Sequence, residues 1–375
     1  MLKGKVTMSL LIGTVVPKPA PKHLMDALAS AQVQTSAGEA SGFQLSFSFS
    51  DKSYLDEAIV LLAGVGPIVR VILTVSLNGS QEVVMDGVVT NHQVAPDMAT
   101  GQTNLTVSGS DLTALMGLID FTGIPYPAMP AEAQVALIIA KYAMFGLAPM
   151  VIPRVFMDFT IPSKEIPTHQ GTDLAHVKRL AQEAGYVFYL FPGSQPGNSF
   201  AYWGPEVKIG AVQPALNVNM DQHTNVESFS ASFDGDAKSI PVIFIQNEQT
   251  RAPIPIPIPD ISPLNPALGR VKPIPVKYHK LTNTANYNPV KAVGLGLGEA
   301  ARSADVISGN GSLDVLRYGH ILKARSLVGV RGMGEALNGT YFVKSVTHNI
   351  KRGEYKQDFS LTRNALISNR QALPT

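Results

Sequence analysis

Residues 318–364, YGHILKARSLVGVRGMGEALNGTYFVKSVTHNIKRGEYKQDFSLTRN, carry the pattern around which the rest of the chain is arranged. At its end, Tyr355, Gln357, Phe359 and Leu361 fall on one face and Lys356, Asp358, Ser360 and Thr362 on the other, the period of two of a half-buried antiparallel strand. Leu322, Ala324, Val328 and Val330 repeat the pattern opposite Lys323 and Arg325. Asn338-Gly339 precedes a middle strand, and the stretch Lys351 to Glu354 separates it from the third with Gly353, a residue able to take φ > 0. An antiparallel meander of three strands is predicted. It must cover an apolar face and blunt its edges, so it needs strands from earlier in the chain or from another chain.

Composition bounds what surrounds the meander. The chain has 375 residues, 45% of them hydrophobic, enough for two or three domains. Charged residues are only 15%, against about 25% in an average soluble protein. Such a surface is either unusually neutral or covered by neighbours, and near-zero net charge favours association. The net charge of +2 argues against a general nucleic-acid binder, though not against a local basic patch. With no cysteine, disulfides, thiolate metal sites and cysteine nucleophiles are excluded. The opening MLKGKVTMSLLIGTVV has the charge and apolar order of a signal peptide, but PKPAPKH after it offers no cleavage site, so a first strand is expected. No stretch reaches the roughly 18 apolar residues of a membrane span.

Going along the chain, His23 to Ala31 is predicted as a short helix, GFQLSFSFS as a strand and Asp51 to Leu62 as a helix. VRVILTVSLNGSQEVVMDGVVT predicts a hairpin closed by Asn78-Gly79. A loop with Pro96 and Gly101 leads to a strand over Thr103 to Ser108. Ser110 or Asp111 should cap a helix over LTALMGLI. A second helix buries Val135, Ile138, Ile139, Tyr142 and Phe145 and is stopped by Gly146 and Pro149. In HQGTDLAHVKRLAQEAGYVFYLF, Thr172 or Asp173 caps a helix whose stripe is Leu174, Val177, Leu180, Ala181 and Ala184, with Gly185 just past its end. A hairpin of Tyr186 to Phe191 and Phe200 to Trp203 should pack on it. Val226 to Phe233 and Val242 to Gln246 are further strands. The segment TRAPIPIPIPDISPLNPALGRVKPIPVKYHK cannot be a helix or a central strand, since every second amide in its Pro-Ile run lacks a hydrogen. It is expected to be an extended, polyproline-like arm, either packed on its own domain or reaching another chain. A short helix around Glu299 to Ala304 precedes the meander. No internal repeat is legible. The fold class is β-rich α+β, with a β region at each end, an α/β middle and an extended Pro-rich insertion in the second β region.

Chemistry is sparse. None of the eight histidines has metal-binding spacing. His348 on its strand face reads as structural, and His169 and His176 as capping or surface residues. Gly294, Gly296 and Gly298 lack the strand-loop-helix context of a dinucleotide loop and read as a flexible turn. There is no nucleophile elbow and no Walker lysine. Arg270, Lys272, Lys277, His279 and Lys280 form one basic cluster, read as a solvated or subunit-facing edge rather than a nucleic-acid site. No catalytic, cofactor-binding or metal residue is assigned, and no enzyme activity is expected.

Two stretches carry a family resemblance. QGTDLAHVKRLAQEAGYVFYLF (170–191) resembles the helix-then-strand signature of the phage late control gene D proteins, in its Gln170, Asp173-Leu174, Arg179-Leu180 and Gly185-Tyr186. These include the tail-hub proteins of contractile phages and the hub portion of VgrG in type VI secretion. RYGHILKARSLVGVRGMG, NGTYFVKSVTH and YKQDFSLTRN resemble the last barrel strands of such hubs, in particular those of phage-like contractile injection systems. The motifs cover under a quarter of the chain, and their order and the overall length extend the match to nearly all of it.

The resemblance implies two tube-like antiparallel β-barrels joined by α/β elements. The expected division is 1–108 for the first barrel, 109–215 for the α/β middle, 216–250 with 305–367 for the second barrel, 251–304 for the Pro-rich arm and 368–375 for a tail. It also implies a homotrimer in a baseplate, adapting the hexameric inner tube protein to a trimeric spike and touching other baseplate components. Assembly would take place in the cytoplasm of the producing bacterium, and the product would be a phage or injection-system particle. No Gly-rich needle follows the meander, so the spike is expected to be a separate protein, and no cell-wall hydrolase domain is expected. The rival readings are a β-rich hydrolase using an unrecognised serine or acid pair, and a carbohydrate-binding or adhesin module, for which one Trp is meagre.

Overall fold

The structure, a computed structural model, describes residues 6–63, 68–154, 166–246, 252–260, 264–275, 277–282 and 289–369. The first apolar run forms β1 (Val6–Gly13), and the prolines after it allow only the short β2 (Lys18–Pro19). The helix expected over His23 to Ala31 is shorter, because α1 (Lys22–Ala27) ends at Leu28 and the chain continues extended as β3 (Leu28–Ser36). A period-two pattern that begins at the end of the expected helix is the reason. Ala31 and Val33 point into the core while Gln32 and Gln34 stay exposed, and strands on both sides satisfy the backbone. Then come β4 (Gly42–Phe49), α2 (Lys52–Ala63), β5 (Arg70–Leu77), β6 (Ser80–Asp97) and β7 (Gln102–Asp111). Asn78 and Gly79 both take positive φ, 53° and 88°, which is the type I′ turn predicted for that dipeptide. β6 runs on through Pro96, where the sequence predicts a loop. α2 lies across these strands with Leu55, Ala58 and Leu62 buried beneath it.

The middle of the chain is an α/β unit. α3 (Thr113–Met116) is a single turn, shorter than the helix expected over LTALMGLI, and it closes with the Gly117 N–H donating to the Ala114 carbonyl and the Leu118 N–H to the Leu115 carbonyl. α4 (Ala131–Ala140), β8 (Leu147–Val151), α5 (Asp173–Ala184), β9 (Val187–Pro192) and β10 (Ser199–Gly204) follow. β10 is central, parallel to β8 and antiparallel to β9, and α5 packs on this sheet through Val177, Leu180, Ala181 and Ala184. Thr172 caps α5, its hydroxyl accepting from the Ala175 N–H at 3.2 Å, and Gly185 ends it at φ 70°. A buried ion pair fixes this unit to β6. The Asp86 carboxylate accepts from Arg70 at 2.7 and 2.6 Å and from the Ser199 hydroxyl at 2.7 Å.

The last part comprises β11 (Val212–Asn217), β12 (Ser228–Phe233), β13 (Ser239–Gln246), β14 (Pro253–Pro257), β15 (Gly269–Val271), β16 (Lys277–Lys280), α6 (Pro289–Arg302), β17 (Ile307–Asp314), α7 (Val315–Tyr318), β18 (Leu327–Arg331), β19 (Gly339–Lys351), β20 (Glu354–Arg363) and β21 (Leu366–Ser368). The Pro-Ile run is not a free polyproline arm. It is β14, an edge strand bonded to β13 within the chain's own sheet β14-β13-β16. The same alternation explains both facts: every Ile N–H points to one edge, so a ladder forms there, while the other edge carries prolines and has no donor to offer. Ile258 just beyond it is 6% exposed and packs on Ile243 and Ala292 of α6, whereas Ile254 is 45% exposed. The glycines read as a flexible turn lie inside α6. Gly294 and Gly298 meet the end of α5, where a Cβ on Gly298 would sit 2.5 Å from the Gly185 Cα, so they permit close helix contact.

One sheet joins both ends of the chain, in the order β12-β17-β20-β19-β3-β4-β7-β6-β5-β1-β2, with β18 on β19 and β11 on β18. Its pairing path is open, and no closed barrel forms among the described residues. Its buried face holds a single core drawn from both halves, including Val33, Leu45, Val71, Val107, Val330, Val346 and Leu361. The pairing repeats: β3-β4-β7-β6-β5-β1 and β12-β17-β20-β19-β18-β11 have the same order, with each strand matched to its counterpart along the chain. Only the last contact differs, antiparallel between β1 and β5 and parallel between β11 and β18. The repeat was not legible in the sequence. The two units meet where β19 pairs with β3.

Candidate assembly surface

The groups that could carry chemistry are mostly buried. His169 and His176, expected at a cap or on the surface, are both 0% exposed and stack with ring centroids 4.3 Å apart. The Tyr126 hydroxyl bonds His169 Nδ1 at 2.9 Å, and Nε2 faces Asp173 at 3.5 Å. Asp173 in turn accepts from Lys141 at 2.8 Å and from the Tyr142 hydroxyl at 2.8 Å. His176 Nδ1 accepts from the Gln170 N–H at 3.1 Å, and its Nε2 bonds the Gln134 carbonyl oxygen at 3.1 Å. Burial first, then Arg179, His169 and Lys141, push His176 down to about 3, and burial also lowers His169. The cluster locks α5 to the loop 120–126, whose backbone bonds residues 167–171. His348 is a structural histidine: it bonds the Tyr355 hydroxyl at 2.7 Å, and burial pushes it down to about 4. No group of three or more His, Asp or Glu among the described residues is placed to hold a metal. The basic cluster is divided between two small sheets, with Arg270 in β15 and Lys277, His279 and Lys280 in β16. Lys277 pairs with Asp236 at 2.9 Å and Lys272 with Asp260 at 3.4 Å.

The outward face of the large sheet is the more informative surface. Registered across it lies one row, Asn349–Gln32–Gln44–Ser108–Asn91, and beside it a second, Ser230–Asn310–Ser360–Ser345–Ser36. These side chains are neutral; Gln32 bonds Asn349 at 2.9 Å, and beside the second row Ser232 bonds Ser308 at 2.7 Å. The few charges, Lys356 among them, are balanced by neighbours such as Glu227 at 2.8 Å.

Besides the outer edges of β11 and of β1 with its short partner β2, two stretches of strand edge on this sheet have no strand beside them among the described residues. One is β12, which pairs only with β17. Its sequence SFSASF carries no lysine, proline or other edge-blunting residue, and Phe233 is 49% exposed. The other is the far end of β6: residues 80–88 pair with β5, but 91–97 pair with β7 alone. Val94 there is 40% exposed. The sequence concealed both edges, since Pro96 read as a loop residue and the absence of charge in β12 marks an unprotected edge only once its place in the sheet is known.

No protein-family model matches the chain, and comparison with curated proteins finds no match either. Solved structures do match. A tail protein from Neisseria meningitidis MC58 superposes with a TM-score of 0.62 at 12% identity, over 95% of this chain and 97% of that one. The 43 kDa tail protein of prophage MuSo2 from Shewanella oneidensis gives 0.60 at 16% identity, over 96% and 98%. A chain of the Francisella PdpA-VgrG complex gives 0.60 at 8% identity, over 100% of this chain and 55% of that one. Open sheet, α/β middle unit and inserted small sheet together make up the fold that this chain shares with phage tail proteins and a VgrG complex.

Proposed function

We propose that the chain is a structural baseplate hub of a contractile injection system or contractile phage tail. Three copies close into a ring around a central channel, adapting a six-fold inner tube to a three-fold spike. One observation carries this reading: a single chain contains the same six-strand unit twice, in one sheet. Three chains then present six like units to the tube and only three repeats to the spike, which is how closed rotational symmetry can bridge the two. The repeated units are the tube-like domains of this reading. The neutral, hydrogen-bonding face of the sheet lines the channel, and the low charge content of the chain suits large buried contacts between copies. The role is structural rather than catalytic, and the likeness to tail proteins supports it.

Affinity purification of the tagged chain from the producing cell tests the proposal. Tube, spike and other baseplate proteins should copurify, with hub and spike in equal numbers. Recovery of the chain free of tube and spike from cells full of assembled particles would sink it.

A further inference from the structure

We infer that β12 of one copy pairs with the far end of β6 of the next, antiparallel, with Ala95 opposite Ser230. This deepens the ring reading by naming which edges meet. The argument runs from the junction that the chain already contains. β19 gives one edge to β20 and shares the other, with residues 339–342 on β18 and 345–351 on β3. β6 is its counterpart in the first unit. Both strands carry a bulge at the same place, before Asn91 against β7 and before Ser345 against β20. Just ahead of it, Val89 donates its N–H to Val69 and Val343 donates its N–H to Ser326, each at 2.9 Å. Asn91 therefore corresponds to Ser345, and residues 91–97 of β6 are the edge that in β19 holds β3.

The strand that fits this edge is the counterpart of β3, which is β12. The register follows by matched pairs. Ser108 faces Asn91 and Ser360 faces Ser345; their next neighbours are Gln44 and Asn310, and beyond those stand Gln32 and Ser230. Gln32 pairs with Asn349, four residues after Ser345, so Ser230 belongs opposite Ala95, four after Asn91. His92 then meets Phe233 and Asp97 meets Ser228, so all of β12 is used.

Two further features agree. The Asp234 N–H bonds the Val306 carbonyl, which turns the backbone groups of Ser228, Ser230 and Ser232 toward β17 and those of Phe229, Ala231 and Phe233 toward the free edge. The Ala37 N–H bonds the Lys344 carbonyl of β19, which turns Lys344, Val346, His348 and Ile350 toward β3; by the same correspondence His92, Val94 and Pro96 turn outward, and both edges present their donors and acceptors in step. Pro96 can accept but not donate, so the ladder ends there. The side chains match as well: exposed Val94 falls beside Ala231 and exposed Phe233 beside His92, while Gln93 meets Ser232 on the neutral face. The two edges lie at different places in one chain's sheet, so the occupant has to be a second copy.

The chain has no cysteine, so engineered pairs report cleanly. Gln93 and Ser232 form a non-hydrogen-bonded pair, whose Cα separation of about 4.5 Å suits a disulfide. Gln93→Cys protein mixed with Ser232→Cys protein should give a covalent heterodimer on mild oxidation, as should Ala95→Cys with Ser230→Cys. Gln93→Cys with Ser230→Cys, two residues out of register, should link at least tenfold less, and each variant alone should not link. Assembled particles carrying Gln93→Cys and Ser232→Cys in one chain should show hub multimers on a non-reducing gel, which covers a subunit that pairs only in the particle. Ala231→Pro removes an N–H that the isolated chain does not use. It should abolish the links and leave the unfolding temperature of the free chain unchanged. Absence of the in-register links in both mixture and particle, equal linking out of register, or links that survive Ala231→Pro would overturn the inference. Links in another register within a three-fold ring would defeat this pairing and spare the hub reading; correct links in a chain absent from the baseplate would do the reverse.

Discussion

His176 and His348 show how much a single residue's environment decides. Both are held neutral by burial, at about 3 and about 4, where a free imidazole titrates near 6.5. Because the folded values lie below the unfolded one, the unfolded chain binds more protons as acid is added. Stability is therefore full above pH 6.5 and falls as pH drops from there toward 4. His348 alone should cost about 3 kcal/mol over that window, at roughly 1.4 kcal/mol per pH unit. Thermal unfolding followed at pH 7.5 and pH 4.5 should show the loss, and His348→Gln should flatten the dependence; equal slopes for wild type and variant would contradict it. None of this was legible in the sequence. His169 and His176 flank the start of a well-marked helix, where capping is the reasonable reading, and their burial comes from the loop 120–126, far away in the chain. Gly298 was misread for a related reason. Replacement by alanine should favour the helix by about 1 kcal/mol, yet the new methyl would meet the Gly185 backbone at 2.5 Å. Overpacking of roughly 1–3 kcal/mol wins, so Gly298→Ala should lower the melting temperature; a rise would show that the helices can part freely.

Among the elements, local alternation was a reliable guide and placement was not. The β5–β6 hairpin, β4, α5 with both its caps, and β20 follow directly from residue pattern, because each is fixed by period and turn chemistry alone. β3 is hidden because its first residues continue a plausible helix, and the Pro-Ile run leaves open an arm on its own domain or on another chain until the edge its prolines face is known. The correction changes what the isoleucines do. Ile258→Ser should destabilise the isolated chain by about 1.5–3 kcal/mol, the worth of a buried aliphatic side chain. Ile254→Ser, at a half-exposed site, should change it by less than about 0.5 kcal/mol. Denaturant titration of the two variants separates the cases; equal, small effects would favour the alternative of an arm that reaches another chain.

At the scale of the whole molecule, the β-rich ends and the α/β middle could be read from the chain, but the repeat could not. Strand order is a long-range property, and β3 with β12, or β6 with β19, share pairing partners and a bulge rather than residues. From that repeat comes the central claim, a ring in which three chains of 40.0 kDa, about 120 kDa together, offer six like units. A cryo-electron-microscopy reconstruction of the assembled particle tests it most directly. It should show three copies of this chain between tube and spike, both six-strand units of each facing the tube, and β12 laid against the far end of β6 of the neighbouring copy. Six copies in the ring, or three copies with only one unit of each facing the tube, would contradict it.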